Sequence, residues 1–347
     1  MPDTATTKEL TAVEVVDPCT DARWASLAER HGSLFNSPPW LRALRTTYDF
    51  DLSALLVTRG PPTVAGLPLA RLPNPERFSV LPFSDFCNPI DPSGGGWQLL
   101  AGHLDEARLP IELRYLGESE GIVGASLTEV GHALWHGIDV EPDETAAFAS
   151  LASSARRAIR KARNAGLEVR AGSDRSTVRA FYALHLGTRK RKYRLLPQPL
   201  EFFENLLDEF GERLVVLGAW RGDEMVAGVL YIEWGDTLYY KFNASAADVL
   251  ELRPNDLLMW EGTRLAAARG LTLVDLGRTD ADHDSLARYK EKYATRLGRI
   301  ATLRSPGFGR DPLIGSTLGP LTELFTRDEI PDDITAEAAT YMYRHFA

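Results

Sequence analysis

Two octapeptides, RGPPTVAG and RGDEMVAG, begin 162 residues apart at Arg59 and Arg221. Each follows an apolar run, LSALLVT at Leu52 to Thr58 and LVVLGAW at Leu214 to Trp220. Each is followed by another, LPLARL and VLYIEW. Arg-Gly and a few turn-forming residues between two apolar runs is the pattern of a β-hairpin. Two copies at this spacing predict a duplicated α/β unit, which the chain length of 347 residues accommodates.

Periodicity and turn residues place other elements around the hairpins. Helices are expected near Asp21 to His31 and Pro39 to Thr47, then strands through Ala70 and a proline-rich turn region from Pro73 to Pro92. Strands or short helices follow to about Val140, and the acidic EPDET (Glu141 to Thr145) reads as a boundary. Beyond it come a basic helix, a strand at Leu167 to Ala171, and helices at Ser176 to Thr188 and Pro199 to Phe210. The second hairpin, the strand TLYYKFNAS, a helix from Asn255 to Arg269, the strand LTLVDLG and a short helix at Ser285 to Tyr293 complete the half. The expected division is 1–148, 149–305 and a C-terminal appendage, 306–347.

Charge is distributed unevenly. The chain carries −9 overall, yet Ser150 to Leu200 holds thirteen Lys and Arg against Glu168 and Asp174, leaving −20 on the remainder. A basic segment on an acidic body points to a local anion site and discourages indiscriminate polyanion binding, so DNA is not an expected partner. Within that segment, SSARRAIRKARNAG (Ser153 to Gly166) projects Arg156, Arg157, Arg160, Lys161 and Arg163 onto one arc of roughly 160°. Ala155, Ala158, Ile159, Ala162 and Ala165 fill the other side, and Ser153 or Ser154 is the expected cap. A solvated charged face is the plain alternative, but such faces usually mix signs and this one has no acid. A second cluster, TRKRKYR (Thr188 to Arg194), offers Arg189, Arg191 and Lys192 to phosphates and Tyr193 for stacking on a base.

Two cysteines, Cys19 and Cys87, are too few for a disulfide framework or cysteine-ligated zinc. The N-terminus has neither a basic start nor an apolar run, and no window reaches 18 apolar residues. A cytoplasmic protein without a transmembrane segment is therefore expected. Asp280, Asp282, His283 and Asp284 lack a glycine turn and a second ligand cluster, so no metal is expected.

The order of elements, and the pieces FYALHLGTRKR, LGAWRGDEMVAGVLYIEWGDTLYYKFNAS, LRPNDLLMWEGTRLAAARGLTLVDLGRTD and SLARYKEKY, resemble the GNAT-type domain of the Fem family of aminoacyltransferases. FNSPPWLRAL (Phe35 to Leu44) and LPFSDFCNPI (Leu81 to Ile90) carry the resemblance into the first half. It implies an α/β (α+β) fold of two tandem GNAT-like acyltransferase lobes. No heptad stretch long enough for the coiled-coil arm of some Fem enzymes is present. It implies aminoacyl-tRNA as co-substrate, no cofactor, and an amine acceptor on a peptidoglycan precursor or small specialised metabolite. The basic clusters (Arg156, Arg157, Arg160, Lys161, Arg189, Arg191, Lys192) would then meet tRNA or another phosphate. Candidate substrate contacts are Tyr240, Lys241, Asn243, Arg253, Asn255 and Arg278.

Typical GNAT acetyltransferases place a glycine-rich loop before the helix that starts here at ELRPNDLLMW, and its N–H groups bind the CoA pyrophosphate. Pro254 removes an N–H and no glycine is present, which argues against an ordinary CoA site. Lys290 resembles a lysine that follows an aromatic residue near the Fem cleft, where a cation can stabilise an oxyanion. Asp85, Asp275 and His283 are candidates for taking the proton of the attacking ammonium. With no nucleophile-and-base arrangement, and Cys87 read as a buried structural thiol, direct transfer is expected. The alternatives are an acyl-CoA donor on the same fold and a non-catalytic tRNA- or phosphate-binding protein.

Overall fold

The computed structural model describes residues 11–59, 63–72, 76–309 and 311–347. The chain is mixed α/β and divides into two compact units, one of 1–41, 50–131 and 301–309 and the other of 42–49, 132–300 and 310–347.

The first unit contains β1 (Thr11–Val16), α1 (Ala22–His31), the start of α2 (Pro38–Tyr48), β2 (Asp51–Arg59), β3 (Thr63–Leu72), β4 (Arg77–Val80), α3 (Gly96–Ala107) and β5 (Ile111–Leu116). Its sheet runs β1-β2-β3-β4-β5, antiparallel except for the parallel pair β4/β5. Asp21 caps α1 by accepting the N–H groups of Arg23 and Trp24, which fixes where that helix begins. Trp24, Leu27 and Ala28 are its buried face.

The second unit follows with most of β6 (Thr128–Asp139), α4 (Glu144–Ser150), α5 (Ser153–Asn164), β7 (Glu168–Gly172), α6 (Arg175–Gly187), α7 (Leu200–Phe210), β8 (Leu214–Arg221), β9 (Glu224–Trp234) and β10 (Thr237–Ser245). Then come α8 (Pro254–Ala268), β11 (Leu273–Asp280), α9 (Asp284–Lys290), the first half of β12 (Arg296–Arg304), α10 (Gly319–Phe325) and α11 (Asp332–Met342). Strands β6-β11-β10-β9-β8-β7 neighbour in that order, antiparallel except for the parallel pair β10/β11.

Element order and pairing repeat: β1 α1 α2 β2 β3 β4 α3 β5 matches β7 α6 α7 β8 β9 β10 α8 β11. In each, three antiparallel pairings are followed by one parallel pairing across a helix. The predicted hairpins are β2/β3 and β8/β9, and each has a register irregularity near its turn, at Val57/Thr58 and Ala219/Trp220. Gly60, Pro61 and Pro62 lie outside the described residues.

The helix α8 lies against the sheet of the second unit, with Leu257, Leu258, Met259 and Trp260 buried in succession. Glycine permits its close approach: a Cβ on Gly262 would meet the Tyr231 hydroxyl at 2.2 Å. The basic helix α5 buries Ala155, Ile159 and Ala162 in the same core, as its alternation predicts, while Ala165 is exposed. Its cap differs from expectation. Ala152 is the N-cap with no side-chain bond, and Ser153 and Ser154 are already helical.

Candidate active site

The parallel pair β10/β11 holds register for three residue pairs only, ending at Tyr239 opposite Asp275. Both strands continue, β10 to Ser245 and β11 to Asp280, so their backbone groups diverge into a wedge. Such a divergence at strand C-terminal ends is where α/β sheets receive ligands.

One wall of the wedge is a bulge in β11 between Asp275 and Arg278, where Gly277 takes φ +68°. Two side chains hold it. Asp275 Oδ1 accepts the Gly277 N–H at 2.6 Å. Lys290, only 4% exposed, donates from Nζ to the carbonyls of Gly277 at 3.1 Å and Arg278 at 3.0 Å. The lysine was expected to offer its charge to a reacting oxyanion. Instead it lies inside, bound to two backbone carbonyls, and positions the end of β11.

The other wall is the start of α8. Arg253 stands exposed in the left-handed region at φ +64°, and Pro254 follows at the first helical position. Two residues on, Asp256 is 5% exposed and its Oδ1 accepts the Tyr293 hydroxyl at 2.5 Å. Three more tyrosines, Tyr231, Tyr240 and Tyr289, gather around this pair. The rings of Tyr231 and Tyr240 meet edge to face at 5.5 Å, and those of Tyr289 and Tyr293 lie 5.6 Å apart. Burial pushes all four hydroxyls up from their ordinary value, and the Asp256 charge adds to the effect on Tyr240, Tyr289 and Tyr293. Tyr231 donates to the Leu258 carbonyl at 3.1 Å, whereas the buried Tyr289 hydroxyl has no partner among the described residues. Asn243 and Asn255 continue the polar edge, Asn243 Nδ2 donating to Asn255 Oδ1 at 3.1 Å and Asn255 Nδ2 to Ser245 Oγ at 3.4 Å.

Of the expected proton acceptors, Asp275 belongs to the bulge, and His283 is exposed at the start of α9. Asp85 is half-buried in the first unit. Among the expected substrate contacts, Tyr240, Asn243 and Asn255 lie along the wedge, and Arg253 is exposed just before α8. Lys241 is half-buried, its ammonium 5.8 Å from the Phe242 ring. Arg278 pairs with Asp280 at 2.5 Å.

The basic clusters differ more from expectation. Arg156 donates to the carbonyls of Ala149 at 2.5 Å and Leu151 at 2.7 Å, closing the end of α4. Arg160 lies over the Phe148 ring, and Arg163 pairs with Glu261. Arg157 and Lys161 are exposed and have no ion-pair partner among the described residues.

In the second cluster, Arg189 donates to the Leu196 carbonyl at 3.1 Å, and Arg191 makes a two-pronged pair with Asp332 at 2.8 and 2.9 Å. Arg194 donates from Nη1 and Nη2 to the two oxygens of Asp328, one to each. Asp332 opens α11 and Asp328 lies just before it. Lys192 alone of the three nominated side chains here faces solvent over a ring, that of Tyr193.

Sequence reading did not single out Asp256, Tyr289, Tyr293 or Lys190. An acid at the third helical position looks like ordinary helix-dipole complementarity, and nothing local shows that Tyr293 reaches it. Lys190 is 1% exposed and donates to Asp332 at 2.9 Å and to the Ile330 carbonyl. Amid four neighbouring bases it carries no distinguishing mark.

Residues 149–291 match the family described as acetyltransferase (GNAT) domain. The fold is similar to that of FemX, with TM-score 0.65 and 15% identity over 90% of this chain and 100% of that one. L-PGS from Bacillus licheniformis has TM-score 0.54 and 14% identity over 90% and 99%. A tandem GNAT protein from the clavulanic acid biosynthesis pathway has TM-score 0.54 and 12% identity over 85% and 98%. No curated protein matches the sequence.

Proposed function

We propose that this chain, a tandem GNAT-fold acyltransferase of the Fem type, forms amide bonds by moving an aminoacyl group from aminoacyl-tRNA to an amine. The acceptor is a peptidoglycan precursor or a small specialised metabolite. The carrying observation is the start of α8. A CoA pyrophosphate needs several free N–H groups and room for negative charge at this point. Pro254 has no N–H to give, and a buried carboxylate, Asp256, stands in the same first turn. An ester donor makes no such demand.

In the reaction the acceptor ammonium first loses a proton to a carboxylate or water. Its nitrogen attacks the ester carbonyl, the C–N bond forms and the C–O bond to the ribose breaks. The ribose oxygen leaves with the second nitrogen proton. The ester is already activated, so positioning and oxyanion stabilisation can supply much of the rate. Direct transfer is supported by Cys87, whose buried thiol accepts from Asn36 Nδ2 at 3.2 Å and is pushed well above its ordinary pKa by desolvation. On α5, Arg157 and Lys161 leave two cations for a tRNA backbone. The chain has no described helix long and apolar enough to cross a membrane.

The test incubates purified protein with radiolabelled mixed aminoacyl-tRNAs and a panel of amines, with acetyl-CoA in parallel. Amine-dependent loss of label from tRNA is the expected result. Turnover of the thioester with none of the charged tRNA overturns the reading.

A further inference from the structure

The Asp256 carboxylate is enclosed, and its one hydrogen-bond donor among the described residues is a neutral phenol, Tyr293. No described Lys or Arg pairs with it. A buried carboxylate without a cation is an unfavourable arrangement in an isolated protein. What surrounds it is specific. The aromatic rings of Tyr231, Tyr240, Tyr289 and Tyr293 group about this corner of the wedge, and their π faces attract cations, as the Lys292 ammonium 5.4 Å from the Tyr289 ring illustrates. The Tyr289 hydroxyl is buried and unpartnered, although an oxygen there accepts an N–H as readily as it donates. Tyr240 and Tyr289 are half-buried, so part of each ring lies at the surface, while the Asp256 carboxylate and the Tyr289 hydroxyl lie just inside it.

A negative charge, several π faces and a spare hydroxyl acceptor together match a primary ammonium group, which is compact, positive and carries three N–H donors. They do not match a phosphate, a carboxylate or an apolar acyl chain. We infer that the corner formed by Asp256, Tyr240, Tyr289 and Tyr293 is a binding site for a primary ammonium carried by one of the two reactants. This rests on the acyl-transfer reading for its place in the reaction, but the binding itself needs neither tRNA nor turnover. The ammonium belongs either to the acceptor amine or to the aminoacyl group, and the two are distinguishable.

Isothermal titration of the full chain at pH 7 compares n-butylammonium with n-butanol, and L-alaninamide with L-lactamide. At least one ammonium is expected to bind tenfold or more tightly than its neutral counterpart. Preference for n-butylammonium assigns the corner to the acceptor, and preference for L-alaninamide assigns it to the aminoacyl group. Asp256→Asn is expected to remove the preference. Should that variant not fold, Tyr289→Leu leaves the Asp256–Tyr293 bond in place and is expected to weaken ammonium binding severalfold. Equal binding of charged and neutral probes by the unaltered protein overturns the inference, even if aminoacyl-tRNA is consumed. A clear ammonium preference in a protein that uses only acyl-CoA sinks the proposed donor and leaves the inference standing.

Discussion

Tyr293 and Asp256, thirty-seven residues apart in the chain, share a 2.5 Å hydrogen bond inside the second unit. It joins the end of the α9 segment to the first turn of α8 across the wedge between β10 and β11. Removing the donor leaves a buried carboxylate oxygen unsatisfied. Tyr293→Phe is therefore expected to cost about 1–3 kcal/mol in a denaturant melt. A cost near zero would mean that water or another donor replaces the phenol.

The tyrosine cluster also sets an alkaline limit. Tyr231, Tyr240, Tyr289 and Tyr293 are held above their ordinary value of 10.0 in the folded state, by burial first and then by neighbouring tyrosines and, for all but Tyr231, by Asp256. Below that value both states are protonated and the full stabilisation is present. Above about pH 10 the unfolded chain releases protons that the folded one retains, so stability falls as pH rises. Tyrosinate absorbance near 295 nm should appear together with unfolding rather than before it.

An acid limb comes from His185, which is pushed down to about 3 by burial first and by the nearby Arg189 charge second. It is held among Phe181, Phe203 and Phe242 with Gln198 Oε1 at 2.7 Å from Nε2. Its neutral form contributes stability that is complete above pH 6.5. That contribution is lost progressively as pH falls towards 3, because only the unfolded chain takes up the proton. In His185→Phe, the denaturation midpoint should vary less with pH across this window.

The two carboxylates at and before the start of α11 offer a sharper contrast. Lys190 is buried and Asp332 is its only carboxylate partner among the described residues, so Asp332→Ala strands a charge and should cost on the order of 3 kcal/mol. Asp328 meets the exposed Arg194, and Asp328→Ala should cost no more than about 1 kcal/mol. Similar melts for both variants would show that Lys190 finds another partner.

On α5 the side chains divide by task. Replacing both Arg157 and Lys161 by Ser should lower the salt-dependence slope of tRNA binding by about 1 per residue without changing the melt. Arg156→Ser should do the reverse, costing about 1 kcal/mol through its carbonyl bonds while leaving the slope unchanged. A slope that ignores Arg157 and Lys161 marks the face as merely solvated.

The duplicated hairpins, the helices around them, the buried stripe of α5 and the unusual proline start of α8 were all legible in the amino-acid order. Each depends on apolar period, turn chemistry or a backbone N–H, and these act between neighbours in the chain. The fate of charge did not follow. TRKRKYR looked like a phosphate cluster, but Arg191 and Arg194 are taken by Asp332 and Asp328, more than 130 residues away. Lys290 looked available and is bound to the bulge of β11. Asp256 looked like a helix-start acid and lies within a ring of tyrosines drawn from β9, β10 and the α9 segment. Local sequence determined which surfaces had to be buried. Only the tertiary structure decided which ionic and polar groups those surfaces brought together, because a charged side chain takes whichever partner the packed chain delivers within about 3–4 Å.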